Sequence, residues 1–226
     1  MIDIVANLHH IQHRIETTCQ QCERNKESVT LIAVSKSHSA DQIAKLYAAG
    51  QHHFGENYLN EALSKITLLP TDILWHFIGT IQSKKTLEIA QNFSWVHTVC
   101  RLKEAQLLSQ HRQGMPPLNI CLQVKMEDDP KRNGIYASEL MNLLKPIQDL
   151  PHLRLRGLMV LPPLVEALTE QRAYFQALHS LLVHCNQQGA NLDTLSMGMT
   201  HDIDAAILEG ATMVRIGTGI FGPREI

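Results

Sequence analysis

The chain has 226 residues, 44% of them hydrophobic, enough to bury one large core and of the size at which a single α/β barrel closes. A formal net charge of −2, with lysines and arginines dispersed, excludes a basic footprint for nucleic acid or for an anionic membrane. No apolar run approaches the roughly 18 residues of a membrane span, no basic-then-apolar leader opens the chain, and five cysteines suit no disulfide framework, so a cytoplasmic protein with reduced thiols is expected. Cys19 and Cys22 lack a second Cys or His pair at zinc-finger spacing, and no metal is expected there.

Ile4, Leu8, Ile11 and Ile15 recur at helical spacing and predict a leading helix to about Cys22, with His9, His10 and His13 on its solvated surface. The β-branched run from Val29 to Lys36 predicts the first strand, in which Ile32, Val34 and Lys36 share one face and Leu31, Ala33 and Ser35 the other. Ser39 or Asp41 can cap the helix that follows, and Gly50 closes it. Further strands are predicted over 51–54, 74–79, 95–99, 118–124, 154–160, 192–197 and 212–216. Helices over 58–66, 84–91, 102–111, 140–147, 165–185 and 203–209 separate them, with an irregular polar loop over 127–134. Eight strands alternating with helices in one domain, residues 1–226, predict an α/β fold of the (β/α)8 TIM-barrel type with an extra N-terminal helix. No G-x-G-x-x-G follows the first strand, which argues against a dinucleotide fold.

Such a barrel gathers its chemistry at the carboxyl ends of its strands. Lys36 ends the first, Asn57 follows the second, His76, Gly79 and Gln82 lie at the third, and Lys125 follows the fifth. An amine at the end of a buried strand is partly desolvated, which disfavours the ammonium and leaves a nucleophile for a carbonyl. The aldehyde of pyridoxal phosphate is the partner this reading favours; the alternative is a lysine that only marks the strand's exit into solvent. The turns Ser196-Met197-Gly198-Met199-Thr200 and Arg215-Ile216-Gly217-Thr218-Gly219 are small, hydroxyl-bearing and glycine-containing, as a phosphate cradle of backbone N–H groups requires. Otherwise Gly217 and Gly219 serve turns that need a positive φ. Alternation along the last strand sets Met213, Arg215 and Gly217 opposite Val214 and Ile216, so the guanidinium points into the barrel mouth. There it faces either a pyridine nitrogen, which it would hold unprotonated, or a carboxylate such as Glu56.

Six segments carry a resemblance: Ala33-Val34-Ser35-Lys36, His53-Phe54-Gly55-Glu56-Asn57-Tyr58, Trp75-His76-Phe77-Ile78-Gly79, Leu155-Arg156-Gly157-Leu158-Met159, Leu195-Ser196-Met197-Gly198-Met199 and Met213-Val214-Arg215-Ile216-Gly217-Thr218. Together they resemble the pyridoxal-phosphate homeostasis protein family, which is similar to the N-terminal barrel domain of alanine racemase, and the likeness spans nearly the whole chain in order. The resemblance implies a fold-type III barrel binding pyridoxal 5'-phosphate, with Lys36 as the Schiff-base lysine and Arg215 as partner of the pyridine nitrogen. It further implies Asn57 near the ring and Ser196, Gly217 and Thr218 around the phosphate. Implied too is a cytoplasmic carrier or regulator of vitamin B6 and amino-acid balance, with apo pyridoxal-phosphate enzymes as candidate recipients. Two departures stand out. Where family members commonly carry a second lysine and a proline after the Schiff-base lysine, this chain has Ser37-His38-Ser39; two residues ahead of Gly134, where a lysine is frequent, it has Arg132, with Lys131 one step off. An arginine cannot be expected to form an imine, so a relay of cofactor through secondary lysines is in doubt.

Racemisation needs a second base within about 3 Å of the transferred proton, on the face opposite the lysine. In the racemases resembled, a separate C-terminal β domain supplies it, and here the sequence ends at Ile226, ten residues after the last predicted strand. A monomeric carrier with no catalytic residue is therefore expected. The competing readings are an amino-acid racemase or lyase using Tyr58, His76 or His201 as second base, and a barrel that acts on a sugar phosphate with Lys36 attacking a carbonyl.

Overall fold

The apolar runs are too short for helices, bounded by turn residues, and rich in branched side chains, and in the computed structural model of the chain they form strands. The structure describes residues 2–127 and 133–223. In chain order the strands are β1 (Thr30–Val34), β2 (His53–Glu56), β3 (Leu74–Phe77), β4 (Trp95–Val99), β5 (Leu118–Lys125), β6 (Ile135–Tyr136), β7 (Leu153–Val160), β8 (Thr194–Ser196) and β9 (Met213–Ile216). Apart from the two-residue β6, they follow one another around a closed ring in the order β4-β3-β2-β1-β9-β8-β7-β5, which β4 and β5 complete. Every pairing is parallel. The helices α1 (Ile4–Gln21), α2 (Ala40–Ala48), α3 (Leu59–Ile66), α4 (Thr86–Asn92), α5 (Leu102–His111), α6 (Ala137–Gln148), α7 (Leu168–Gln187), α8 (Ile203–Leu208) and α9 (Thr218–Phe221) complete the alternation. This is the expected (β/α)8 barrel with its additional first helix. Among the described residues no helix is long and apolar enough to cross a membrane.

Alternation decides what each strand contributes. Leu31, Ala33, Phe54, Trp75, Phe77, Val96, Leu122, Leu158, Val214 and Ile216 belong to the outer core between sheet and helices. Ile32, Trp95, Cys121, Met159 and Met213 form a separate small cluster inside the ring. The two faces anticipated for β1 and β9 are thus the observed ones.

The differences have local causes. The second strand starts at His53 rather than Gln51 because the buried Gln51 side chain donates from Nε2 to the carbonyls of Leu31 (2.8 Å) and His53 (2.6 Å), capping the strand entrance. The strand predicted to reach Gly79 stops at Phe77, where a Cβ on Gly79 would lie 2.0 Å from the Asn57 carbonyl oxygen. Most of the polar loop expected over 127–134 lies outside the described residues; β6, directly after Gly134, takes the side of β5 that β4, ending opposite Leu122, leaves open. At the start of α2, Ser39 forms the capping box with Gln42.

Helix α1 carries His9, His10 and His13 on its exposed side and lies across α8 and α9. Arg14 holds Asp204 through Nε (2.9 Å) and Nη2 (2.8 Å) and donates from Nη1 to the Thr200 carbonyl (3.0 Å). Asn7 Nδ2 donates to the Ile220 carbonyl (2.9 Å). The first helix thereby braces both turns that follow β8 and β9.

Of the glycines, Gly157 leaves the least room for a side chain: a Cβ there would fall 1.8 Å from the Thr194 carbonyl oxygen of the neighbouring strand. A methyl group there must force β7 and β8 apart, so Gly157→Ala is expected to destabilise the fold by about 3 kcal/mol, the upper range for overpacking. Denaturant unfolding with an unchanged midpoint would contradict this.

Candidate functional site

The mouth of the barrel opens into a cavity of about 380 Å³ lined by Lys36, Asn57, Thr200, Arg215, Gly217 and Thr218, with Val34, Ile78, Met159, Leu161, Met199 and His201. That volume suits a small cofactor. The structure brings Lys36, Asn57, Arg215, Gly217 and Thr218 together as anticipated. Ser196 is the exception. It is fully buried beneath the cavity at the end of β8, where its Oγ accepts from Arg215 Nη1 (2.7 Å) and pairs with His97 Nδ1 (2.8 Å). The hydroxyl from this turn that does reach the cavity is Thr200, four residues on; its Oγ1 accepts from the Gly219 N–H (3.1 Å) and lies 3.2 Å from Thr218 Oγ1. The same turn signal pointed to both hydroxyls, and strand length chose between them.

Lys36 follows β1 and is held from behind by a buried ionic cluster that sequence reasoning missed. Lys65 of α3, 5% exposed, donates to the Ser35 carbonyl (2.8 Å), Glu56 Oε1 (2.8 Å) and Glu61 Oε1 (2.5 Å). Ser35 Oγ donates to the same Glu56 oxygen (2.6 Å), and Glu61 Oε1 accepts from the Ser37 N–H (2.6 Å). Ser37 sits in the left-handed region at φ 64°, a conformation that a seryl residue adopts at a cost. The residues flanking Lys36 are therefore pinned to α3. Burial pushes the Glu56 carboxyl up, against the hydrogen bonds from Lys65 and Ser35. The only sequence signal for this cluster was the i,i+4 pair Glu61 and Lys65.

Arg215 is 3% exposed and points inward from β9. Nη2 donates to the Val160 carbonyl (2.8 Å), so with the Ser196 bond two of its five donors are engaged by protein. Glu56 faces α3 on the outside of the ring, so the Arg215–Glu56 salt bridge considered from the sequence does not form. Burial lowers Arg215 to about 10, partly offset by the charge of Asp202, and it stays cationic near neutral pH.

Two features test whether a phosphorylated pyridine aldehyde fits. Asn57 Oδ1 is buried without a hydrogen-bond partner among the described residues, an orphaned acceptor on the cavity wall. Gly217 has φ −105°, and a Cβ there would meet only Val34, at 3.6 Å. Neither dihedral nor protein packing requires glycine, so the positive-φ alternative fails at Gly217, and the room above it belongs to the cavity. At Gly219, by contrast, a Cβ would press on Ile216, Thr200 and Ile11 at 3.0–3.2 Å, which is a packing requirement. Both observations fit the cofactor.

Of the residues considered as a second base, His201 lines the cavity. Tyr58 is 55% exposed and not part of the lining, and His76 is buried beneath it, its two ring nitrogens paired with His53 and His97. Arg132 and Lys131 lie outside the described residues.

A family model described as the alanine racemase N-terminal domain matches residues 6–225. The pyridoxal phosphate homeostasis protein of Pseudomonas aeruginosa is 47% identical over 100% of this chain and 97% of its own length. That of Escherichia coli K12 is 40% identical over 100% and 98%. Among solved structures, PipY of Synechococcus elongatus PCC7942 with PLP bound superposes with a TM-score of 0.85 at 36% identity, over 97% of this chain and 100% of that one. An alanine racemase of Clostridium difficile shares the fold, at TM-score 0.74 and 15% identity over 57% of its chain.

Replacing Lys65 with Met leaves Glu56 buried without its cation, and Lys65→Met is expected to lose about 3–5 kcal/mol of stability; a loss below about 1 kcal/mol by urea titration would show that the cluster contributes little. A second prediction concerns pH. Burial, reinforced by the Arg215 charge, pushes His97 down to about 3, and burial with the neighbouring His97 and His53 lowers His76 well below the usual range. Unfolding restores a value near 6.5, so between the two values the unfolded chain binds the extra protons, and stability falls as pH drops. The denaturation midpoint is expected to decline from about pH 7 to pH 5.5, by up to about 1.4 kcal/mol per pH unit for each ring. Equal midpoints across that interval would mean that the rings are charged in the fold.

Proposed function

We propose, for a chain that belongs to the pyridoxal phosphate homeostasis protein family and carries the alanine racemase N-terminal domain, that it binds pyridoxal 5'-phosphate and serves intracellular vitamin B6 and amino-acid homeostasis. The observation that carries this reading is the meeting of Lys36, Arg215 and the orphaned Asn57 Oδ1 around one cavity of fitting size. Pyridoxal phosphate, when bound, supplies an aldehyde that an amine can hold covalently, a ring nitrogen and an anionic tail. Lys36 is the amine, fixed in direction by the Lys65 cluster behind β1. Arg215 would donate an N–H to the ring nitrogen and so keep it unprotonated, because a guanidinium only donates and offers no acceptor to a protonated nitrogen. Asn57 accepts from the ring's hydroxyl. Thr200, Gly217 and Thr218 receive the tail at the ends of β8 and β9, with Ser196 acting one layer below through Arg215.

This set is suited to holding. A ring nitrogen opposite a guanidinium is a poorer electron sink than one paired with a carboxylate. Cytoplasmic residence is part of the proposal and is supported by five cysteines that carry free thiols. Recipient apo-enzymes are the corresponding partners. The presence of His201 on the cavity wall favours a second reading, an amino-acid racemase with that ring as the opposing base.

Adding pyridoxal phosphate, reducing with borohydride and mapping the adduct by mass spectrometry decides the covalent assignment. One adduct on Lys36, absent in Lys36→Ala together with the visible absorption band, is expected. An adduct spread over surface lysines with no band would refute it. Deuterium incorporation at the α-carbon of an amino acid, abolished in His201→Gln, would replace the carrier with the racemase.

A further inference from the structure

The inside of a barrel of this kind is ordinarily filled with branched apolar side chains. Here three imidazoles share it with Ile32, Trp95, Cys121, Met159 and Met213. His53, His76 and His97 stand on the adjacent strands β2, β3 and β4, all facing inward. The register sets them on a rising path: His76 is level with Gly55, two residues above His53, and with Trp95, two residues below His97. Each step climbs one pleat. His53 Nδ1 meets His76 Nε2 at 2.9 Å, His76 Nδ1 meets His97 Nε2 at 2.9 Å, and His97 Nδ1 meets Ser196 Oγ at 2.8 Å. Ser196 Oγ is also 2.7 Å from Arg215 Nη1. His53 faces a second, open cavity at the other end of the barrel, beside His52 and Thr30. An unbroken line of hydrogen bonds therefore runs from the floor of the barrel to its mouth.

The chemistry of the terminal group fixes the direction of that line. A guanidinium only donates, so Ser196 Oγ accepts from Arg215, and its own proton goes to the remaining neighbour, His97 Nδ1. A neutral imidazole that accepts at Nδ1 carries its proton on Nε2 and donates from there. His97 Nε2–H thus donates to His76 Nδ1, and His76 Nε2–H donates to His53 Nδ1. The opposite order would point the positive end of every dipole at a buried cation. Among the described residues no carboxylate hydrogen-bonds Arg215, and Asp202 acts on it through charge alone; its acceptors are one hydroxyl and one carbonyl. Four aligned dipoles with their negative ends towards it supply what a counter-ion otherwise would. Trp95, stacked on His76 at 5.8 Å and 14°, keeps the middle ring in plane.

We propose that Ser196, His97, His76 and His53 form a one-way hydrogen-bonded relay whose polarity is set by Arg215 and which in turn positions Arg215 at the base of the cofactor cavity. In this arrangement the four are positioning residues: none touches the cavity contents, and each acts through its neighbour. The relay itself follows from the protein alone, whereas its bearing on the ring nitrogen rests on the pyridoxal-phosphate reading given above.

The two parts separate experimentally. Long-range proton–nitrogen correlation spectra of the imidazoles, recorded on the cofactor-free full chain near neutral pH, are expected to show His76 and His97 neutral and protonated on Nε2. In Arg215→Met, with the charge gone, the two tautomers are expected to mix. A His97 ring protonated on Nδ1, or the same single tautomer in Arg215→Met, would overturn the polarity. For the bearing on the cofactor, His97→Phe keeps the volume but removes the acceptor, and His97→Asn restores an acceptor oxygen for the Ser196 hydroxyl. With both variants folded by circular dichroism, the Phe variant is expected to release bound pyridoxal phosphate about tenfold faster, with a shifted visible band, and the Asn variant to recover most of the difference, as one hydrogen bond predicts. Wild-type release and spectrum in both variants would remove the positioning role. If the wild-type chain takes up no cofactor, the functional reading fails and the imidazole spectra still decide the relay.

Discussion

A positive charge held out of water governs this molecule. Arg215 is almost wholly enclosed, hydrogen-bonds no carboxylate, and remains charged near neutral pH. A buried cation is costly, and the charge of Asp202, which it does not hydrogen-bond, offsets only part of that cost, so the interior had to be built polar around it. That requirement accounts for a hydroxyl at Ser196, a strand carbonyl at Val160 and a file of neutral rings, where most barrels of this shape place isoleucine and valine. It also constrains whatever rests above the guanidinium: an acceptor with a lone pair is welcome there, and a protonated nitrogen is repelled.

The rest of the site is positioned from outside the ring. Lys65, Glu56 and Glu61 grip the backbone on both sides of Lys36, so the direction of that amine depends on the seating of α3 against β1 and β2. Such a cluster adds little net stability when whole and removes much when one partner is lost, which makes it a determinant of geometry more than of folding energy. Arg14 and Asn7 do the same for the turns after β8 and β9. The interior charge and the exterior clamps are separate mechanisms acting on one cavity.

Period-two patterning made much of this legible. The faces of β1 and β9 followed from simple alternation, and with them the inward direction of Lys36 and Arg215. The strand-and-helix rhythm gave the barrel, with α5 and β4 at their expected limits. What was illegible depended on register and strand length, which no local pattern encodes. Ser196 reads like a turn residue, yet a three-residue β8 leaves it inside the barrel and passes the exposed role to Thr200. The histidines at 53, 76 and 97 sit in three separate segments, and only the offset between neighbouring strands brings their rings into contact. Glu56 looked available to Arg215 until strand parity placed it on the other side of the sheet.

The pairing of β1 with β9 joins Thr30 to Met213 and Ala33 to Ile216, so the cavity is assembled from segments far apart in sequence. During synthesis the amine of Lys36 leaves the ribosome long before Arg215, Gly217 and Thr218 exist, and until then the cavity that they line with it is open on that side. Synthesis must pass β9 before this cavity can form, and a nascent chain stalled short of it presents that amine without the wall that Arg215, Gly217 and Thr218 supply.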